Sequence, residues 1–78
     1  MADIKADVHV DACGLNCPMP VLKAKKAIDA LEPGQVMELI ATDSGTKADI
    51  PALLKRLGHE LLGTKEENKK FYYYIRKK

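Results

Sequence analysis

The chain has 78 residues, of which 46% are hydrophobic and 31% are charged, and its formal net charge at pH 7 is +2. This length suits one small domain, and the balance of apolar and charged residues is typical of a globular protein rather than of a disordered chain. The net charge is too small to indicate nucleic acid or another acidic surface as the partner. We therefore expect residues 1–78 to form a single globular domain.

The sequence has no apolar run that approaches the length of a membrane span, and its first ten residues, MADIKADVHV, lack the apolar core of a signal peptide. These features predict a cytoplasmic protein with no membrane association, in a compartment where thiols stay reduced. The two cysteines, Cys13 and Cys17, are then expected to be free thiols rather than a structural disulfide.

The first half of the chain is predicted to form a strand, a helix and a second strand. VHVDA alternates apolar and polar residues, which is typical of a strand with one buried side. Across residues 18–31, apolar side chains recur at helical spacing while the lysines lie largely on the other face. Pro33 and Gly34 then turn the chain, and VMELIAT has the pattern of a second strand.

The second half is predicted to form a helix followed by a hairpin. The helix is expected to begin near Asp49, with Pro51 in its first turn, and to end at Gly58. Residues 66–69 are then expected to form the polar turn of the hairpin, and FYYYIR its last strand. The order βαβαββ predicts a two-layer α/β sandwich of the α+β kind, with two helices on one face of a mixed four-stranded sheet.

The stretch CGLNCPMP, residues 13–20, places a cysteine directly before two prolines at the predicted start of a helix. The first N–H groups of a helix have no acceptor within it, so prolines there lose no helical hydrogen bond and make the segment rigid. The helix dipole, together with Lys23 and Lys26, favours the thiolate form of a cysteine at this place. The pattern therefore predicts that Cys17 is a reactive thiol. Three residues are expected to shape the site around it: Gly14, Pro18 and Pro20.

Other chemistries fit the two cysteines less well. Cys13 lies close to the end of a predicted strand, which is typical of a cysteine that fills core volume. The spacing Cys-x-x-x-Cys is not that of dithiol oxidoreductases, and the sequence gives no reason for His9 or His59 to reach Cys17 as a base. The two cysteines and the two histidines together also lack the spacing of the ligands of a zinc finger. We therefore expect no bound metal and no organic cofactor.

The segment DACGLNCPMPVLKAKKAI resembles the signature of the TusA/SirA family of small sulfur-carrier proteins, in which a glycine precedes a Cys-Pro-x-Pro motif that opens the first helix. PGQ, DIPALLKRLGHEL and FYYYIRK are similar to other parts of the same family, so the resemblance covers nearly the whole chain. It implies the βαβαββ sandwich, with Cys17 as the catalytic residue that accepts a sulfane sulfur as a persulfide. The covalent sulfur would take the place of a cofactor.

The resemblance also implies partners and routes. A cysteine desulfurase or a rhodanese-like protein would donate sulfur, and a DsrE-like protein would accept it. The routes known for the family include tRNA 2-thiolation, molybdenum-cofactor synthesis and sulfur oxidation. Such a protein is a persulfide sulfurtransferase that acts as a co-substrate of its partners. Three basic residues are predicted to steer acidic partner surfaces toward the site: Lys23, Lys26 and Arg76.

Cys13 departs from the family pattern, since relatives often have a small residue without sulfur at this position. It is a candidate resolving thiol that would convert a Cys17 persulfide into a disulfide and release sulfide. Two other functions stay open from the residues alone. One is a thiol redox regulator that uses Cys13 and Cys17. The other is a non-catalytic RNA- or protein-binding regulatory module, since aromatic residues at 72–74 could stack on bases, although the modest net charge argues against direct nucleic-acid binding.

Overall fold

The computed structural model describes residues 5–16 and 18–78, which form four strands and two helices. In chain order these elements are β1 (Val8–Ala12), α1 (Met19–Asp29), β2 (Val36–Ala41), α2 (Thr46–Leu57), β3 (Glu60–Glu67) and β4 (Lys70–Arg76). The predicted order βαβαββ is confirmed. Neither α1 nor α2, the helices of the described part of the chain, is long and apolar enough to cross a membrane.

The four strands form one mixed sheet in the order β1-β2-β4-β3. β1 is parallel to β2, whereas β4 is antiparallel to both β2 and β3. Ala12 pairs with Ala41, and Ala41 pairs with Phe71, so the carboxyl ends of β1 and β2 lie beside the beginning of β4. We call this edge of the sheet the carboxyl edge, and the loop that leads from β1 into α1 begins there.

Both helices cover one face of the sheet, as predicted. Alternate residues of β1, β2 and β4 are buried on this inner face, apart from the half-buried Val8 at the start of β1, in the alternation that a strand with one covered side requires. The apolar stripes of the two helices complete a single core. Its buried members are Val10, Ala12, Ala24, Ile28, Leu31, Met37, Leu39, Ala41, Ile50, Leu53, Leu54, Phe71, Tyr73 and Ile75.

Helix α1 is shorter than predicted at both ends. It begins at Met19 with Pro18 as its N-cap, so that Pro20 stands in the first turn, where its missing N–H costs no helical hydrogen bond. At the other end, the N–H groups of Ala30 and Leu31 donate to carbonyls three residues back instead of four. This tighter turn ends the regular helix at Asp29 but still leaves Leu31 buried.

Helix α2 begins at Thr46, and the prediction of a start near Asp49 is wrong. Asp43 organises the earlier start: its Oδ1 accepts the N–H of Gly45 at 3.0 Å, and its carbonyl accepts the Thr46 N–H at 3.1 Å and hydroxyl at 2.7 Å. Pro51 therefore lies inside the helix rather than in its first turn. The predicted end is confirmed, because Gly58 caps α2 with a φ of +81°.

The hairpin turn is tighter than predicted. Glu66 and Glu67 belong to β3, so the expectation of a turn over residues 66–69 is wrong in its first half. Asn68 and Lys69 alone join the strands, with φ angles of +51° and +62°. Two consecutive residues with positive φ are typical of the type I′ turn, whose twist matches that of the flanking strands.

A buried hydrogen bond joins α2 to the centre of the sheet and provides a stability test. The hydroxyl oxygens of Tyr73 and Thr46 are 2.7 Å apart, and both residues are buried. Tyr73→Phe is expected to lower the free energy of unfolding by about 1 kcal/mol, because the bond is lost without loss of the ring. The measurement is chemical denaturation.

The matched control is Tyr72→Phe on the half-exposed outer face, expected to change stability by less than about 0.5 kcal/mol. An equal decrease in the free energy of unfolding for the two variants would contradict the stabilising role of the buried hydrogen bond.

Candidate functional site

The loop of residues 13–16, here called the thiol loop, connects β1 to the beginning of α1. Its backbone turns immediately after the strand, where the N–H of Leu15 donates to the carbonyl of Ala12 at 3.3 Å. Gly14 has a φ of +79°, a conformation that side chains other than glycine's rarely adopt. The N–H of Met19 then donates to the carbonyl of Asn16 at 2.9 Å, which links the thiol loop to the first turn of α1.

Asp11, at the carboxyl edge, holds the thiol loop by its side chain and its backbone. Its Oδ1 accepts the backbone N–H of Cys13 at 2.9 Å. Its backbone carbonyl accepts a hydrogen bond from the Lys23 ammonium group on α1. The loop is tied to the chain just after β2 as well, because the N–H of Gly14 donates to Oγ1 of Thr42 at 2.8 Å.

The surroundings of the thiol loop shift the pKa values of two acidic groups, the Asp11 carboxyl and the Cys13 thiol, in opposite directions. The hydrogen bond from the backbone N–H of Cys13 is the main cause that holds the pKa of the Asp11 carboxyl below its usual value, and the charges of Lys23 and Lys70 act in the same direction. Burial raises the pKa of the Cys13 thiol, and the nearby Asp11 carboxylate raises it further. Lys70 acts in the opposite direction on Cys13 but does not reverse the shift. The Cys13 thiol therefore loses its proton less readily than an ordinary cysteine. The residue is half-buried rather than fully buried.

Cys17, the predicted sulfur acceptor, lies outside the described residues, but its neighbours in sequence are described. Pro18 is exposed at the N-cap of α1 and Pro20 is buried in its first turn. This turn reads Met-Pro-Val-Leu and has no acidic residue that would oppose a negative charge at the helix start. Gly14, Pro18 and Pro20 thus occur in or beside the segment that leads into α1.

The three lysine and arginine residues expected to steer partners lie in different places. Lys23 is on α1 and binds the thiol loop through Asp11. Lys26 is exposed in the last turn of the same helix. Arg76 pairs with Val36, at the edge of the sheet opposite the carboxyl edge, and forms an ion pair with Glu60. Five residues along β4 separate Arg76 from Phe71, a distance of roughly 17 Å in a strand, so Arg76 is not part of the surroundings of the thiol loop.

Three residues of the site were missed by the sequence-based prediction: Asp11, Thr42 and Lys70. An aspartate two residues before a loop N–H is typical of the local side-chain turns that aspartate forms, so this signal for Asp11 was present in the sequence. Thr42 and Lys70 had no such signal. Thr42 comes to the thiol loop because β1 and β2 are parallel neighbours in the sheet, and Lys70 does so because β4 pairs with β2.

An exposed apolar surface surrounds the beginning of α1. Met19 and Leu22 are 50% and 54% exposed, and they are the large hydrophobic residues that the described part of the chain leaves most open to solvent. Beside them, a groove runs between α1 and α2 and is lined by Pro18, Val21, Asp49, Ala52, Leu53 and Arg56. Exposed apolar residues next to a site are typical of a surface that contacts another protein.

The outer face of the sheet carries a separate polar cluster. Nδ1 of His9 is 2.9 Å from Oε1 of Glu38. Burial raises the pKa of Tyr74 to about 12, and the Glu38 carboxylate contributes to the rise. Nζ of Lys65 lies 5.2 Å from the centroid of the Tyr72 ring. With Tyr73 buried in the core, the three tyrosines do not form one exposed platform for stacking bases.

Comparison with known proteins gives consistent matches over nearly the whole chain. The model of the family described as Sulfurtransferase TusA matches residues 8–77. The sulfur carrier protein TusA of Allochromatium vinosum is 49% identical over 77 residues, which cover 99% of each of the two chains. The protein of the same name from Pseudomonas entomophila is 49% identical over 78 residues, which cover 100% of this chain and 98% of the relative.

The fold matches a solved structure of a related protein. The crystal structure of a SirA-like protein from Desulfitobacterium hafniense superposes with a TM-score of 0.78 at 25% identity, covering 88% of this chain and 95% of the other. The family match, the relatives and the shared βαβαββ fold agree with the Cys-Pro-Met-Pro motif at residues 17–20. The chain belongs to the TusA sulfurtransferase family.

Proposed function

We propose that the protein is a sulfur carrier that accepts a sulfane sulfur on Cys17 as a persulfide and passes it to an acceptor protein in a sulfur relay. The observation that carries this proposal is the family match over residues 8–77, which includes the Cys-Pro-Met-Pro motif. Family membership supports the carrier role and the existence of relay partners. The acceptor residue, the donor and the acceptor protein are the further parts of the proposal.

The proposed chemistry is two successive sulfur transfers. In the first, the thiolate of Cys17 attacks the terminal sulfur of a donor persulfide, the sulfur–sulfur bond of the donor breaks, and the donor thiolate leaves. In the second, an acceptor thiolate attacks the terminal sulfur on Cys17, and the Cys17 thiolate leaves. Both steps need an anionic sulfur, and the positive end of a helix dipole favours one. Cys17 immediately precedes the N-cap of α1 in the sequence, and the first turn of this helix has no acidic residue.

The surroundings of the motif support exchange with partner proteins. Met19 and Leu22 provide an exposed apolar surface at the start of α1, and Lys23 and Lys26 add positive charge to the same helix. Such a surface suits transient contact with a donor such as a cysteine desulfurase or rhodanese-like protein, and with a DsrE-like acceptor. Arg76 contributes only to the long-range electrostatic field of the protein, because it lies at the edge of the sheet opposite the carboxyl edge and forms an ion pair with Glu60.

The proposed carrier needs no bound group other than sulfur, and it needs a reducing compartment. The only bound group is the covalent sulfur itself, so no metal or organic cofactor takes part. The protein acts as a co-substrate of each partner, since every transfer leaves it chemically changed. A thiol that must return to its reduced form after each cycle requires a reducing compartment, and for this reason we place the protein in the cytoplasm.

The proposal is tested by loading the protein with sulfur. The protein is incubated with a cysteine desulfurase and cysteine, and in a second reaction with a rhodanese and thiosulfate. Intact-mass spectrometry and peptide mapping follow. We expect the mass of a single sulfur atom to be added to the peptide that contains Cys17, and to be removed by a reductant. Sulfur found on Cys13 alone, or no sulfur from either donor, would contradict the proposal.

A further inference from the structure

A groove lies at the edge of the sheet opposite the carboxyl edge, where the end of α2 meets the beginning of β3 and the end of β4. It is called the far groove here, and its lining includes the apolar residues Pro51, Leu54 and Leu61 and the basic residues Lys55, Arg76 and Lys78. Five positions along β4 separate Arg76 from Phe71 at the carboxyl edge, which is roughly 17 Å in a strand. A short segment bound in the far groove therefore leaves the thiol loop accessible.

The apolar part of the lining comes from both layers of the fold. Pro51 and Leu54 belong to α2, and Leu61 belongs to β3. Leu54 is buried in the core, whereas Pro51 and Leu61 are half-buried and keep some surface open to solvent. Partly exposed apolar side chains in a groove favour an occupant that has apolar side chains of its own, because its binding removes this surface from water.

Positive charge predominates around this apolar lining. The basic residues of the far groove are Lys55, Arg76 and Lys78, and Glu60 is the one acidic residue that lines it in the described part of the chain. Arg76 forms an ion pair with Glu60, which offsets this negative charge. Lys55 and Lys78 are both exposed. The lining thus has an excess of positive charge, which attracts carboxylate groups.

Hydrogen bonds fix the backbone on two sides of the far groove. Nδ1 of His59 accepts the backbone N–H of Lys78 at 3.2 Å, which ties the segment after β4 to the segment between α2 and β3. The N–H groups of Gly58 and His59 donate to the carbonyl of Leu54 at 2.8 Å and 3.0 Å, which fixes the end of α2. Because this backbone is in place before anything binds, an occupant has to order little of the protein.

We propose that the far groove is a docking surface for an acidic segment of a partner protein. Apolar side chains of this segment contact Pro51 and Leu61, and its carboxylates pair with Lys55 and Lys78. Such a partner holds the protein from the edge opposite the thiol loop and leaves that loop open to another protein. The inference does not depend on the proposed sulfur-carrier function, since it uses no residue of the thiol loop.

The first test measures the affinity of the full chain for an acidic probe. The probe is a short fluorescein-labelled peptide in which glutamate and leucine alternate, and its binding is followed by fluorescence anisotropy. Lys55→Glu is expected to raise the Kd by at least about fivefold, because reversal of the charge turns attraction into repulsion.

The matched control is Arg56→Glu, which changes the net charge by the same amount one position later in α2. Arg56 lines the groove between α1 and α2 rather than the far groove. At physiological ionic strength this variant is expected to change the Kd by less than about twofold, because salt screens exposed charges that do not contact the peptide. A probe with serine in place of leucine is expected to bind at least about threefold more weakly, since it buries less apolar surface.

The second test locates the bound peptide by nuclear magnetic resonance. Addition of the peptide to isotope-labelled protein is expected to shift the backbone amide signals of residues 54–61 and 76–78 and to leave those of residues 13–16 unchanged. Equal effects of Lys55→Glu and Arg56→Glu on the Kd, or shifts confined to residues 13–16, would overturn the inference.

Two further outcomes would assign the far groove to another occupant and would also overturn the inference. Tighter binding of a uridine oligonucleotide than of the acidic peptide would assign it to nucleic acid. Shifts of the same amide signals when the protein concentration alone is raised would assign it to a second copy of the chain. None of these measurements requires sulfur loading, so loss of the inference leaves the carrier function untouched, and failure of sulfur loading leaves the inference standing.

Discussion

Replacing Cys17 by serine is expected to abolish the addition of sulfur to the protein. A serine hydroxyl is not ionised near neutral pH and forms no sulfur–sulfur bond, so the first transfer has no acceptor. Intact-mass spectrometry after incubation with a cysteine desulfurase and cysteine measures this loss. The effect should be complete rather than partial, because burial raises the pKa of the Cys13 thiol and makes it a poor substitute nucleophile.

The matched control is Cys13→Ser, which makes the same chemical change four positions earlier. This variant is expected to accept sulfur on Cys17 as the wild-type protein does. The two variants together distinguish an acceptor role from a general effect of losing a thiol. Retained loading in Cys17→Ser, with loss of loading in Cys13→Ser, would assign the acceptor role to Cys13 and contradict the proposed function.

The largest effect on stability is expected from Leu39→Ala. Leu39 is fully buried in the middle of β2, where it pairs with Val10 on one side and with Tyr73 on the other. Removing its side chain leaves a cavity between the sheet and the helices that the surrounding elements only partly fill. We expect the free energy of unfolding to fall by about 2–5 kcal/mol. For a small domain this is a large part of the total, so the midpoint of denaturation by urea should fall clearly.

Leu22→Ala provides the matched control, because it removes the same atoms from a residue that is 54% exposed. Its effect on stability is expected to stay within about 0.5 kcal/mol, since little apolar surface is taken from water at this position on folding. Both variants are compared by urea denaturation monitored by circular dichroism. If Leu22→Ala lowered the free energy of unfolding as much as Leu39→Ala does, the assignment of Leu39 to the core and of Leu22 to the surface would be wrong.

Much of the fold could be predicted from the sequence because it depends on patterns within one element. The alternation in VHVDA and the apolar stripe of α1 depend on which residues are two, three or four positions apart, and these spacings are visible in the chain itself. The same is true of the Cys-Pro-Met-Pro motif and of Gly58 at the end of α2, since helix starts and ends depend on the nearest residues.

The boundaries predicted wrongly lie where a side chain or turn conformation competes with these patterns. The hydrogen bonds of Asp43 with Gly45 and Thr46 form the turn from which α2 begins at Thr46, although Pro51 suggested a later start. Asn68 and Lys69 can adopt positive φ angles, so β3 continues to Glu67 despite its polar sequence. In each case the local hydrogen bonds or backbone angles, rather than hydrophobicity, determine where the element begins or ends.

The sequence by itself determined the order of the elements, the face of each that is buried and the cysteine at the start of α1. Only the tertiary structure decided that Lys70 and Thr42 approach the thiol loop and that Arg76 lies at the opposite edge. The physical reason is the order of the strands. β4 pairs with β2 through contacts between residues thirty to forty positions apart, and such contacts depend on the packing of the whole sheet rather than on any local pattern.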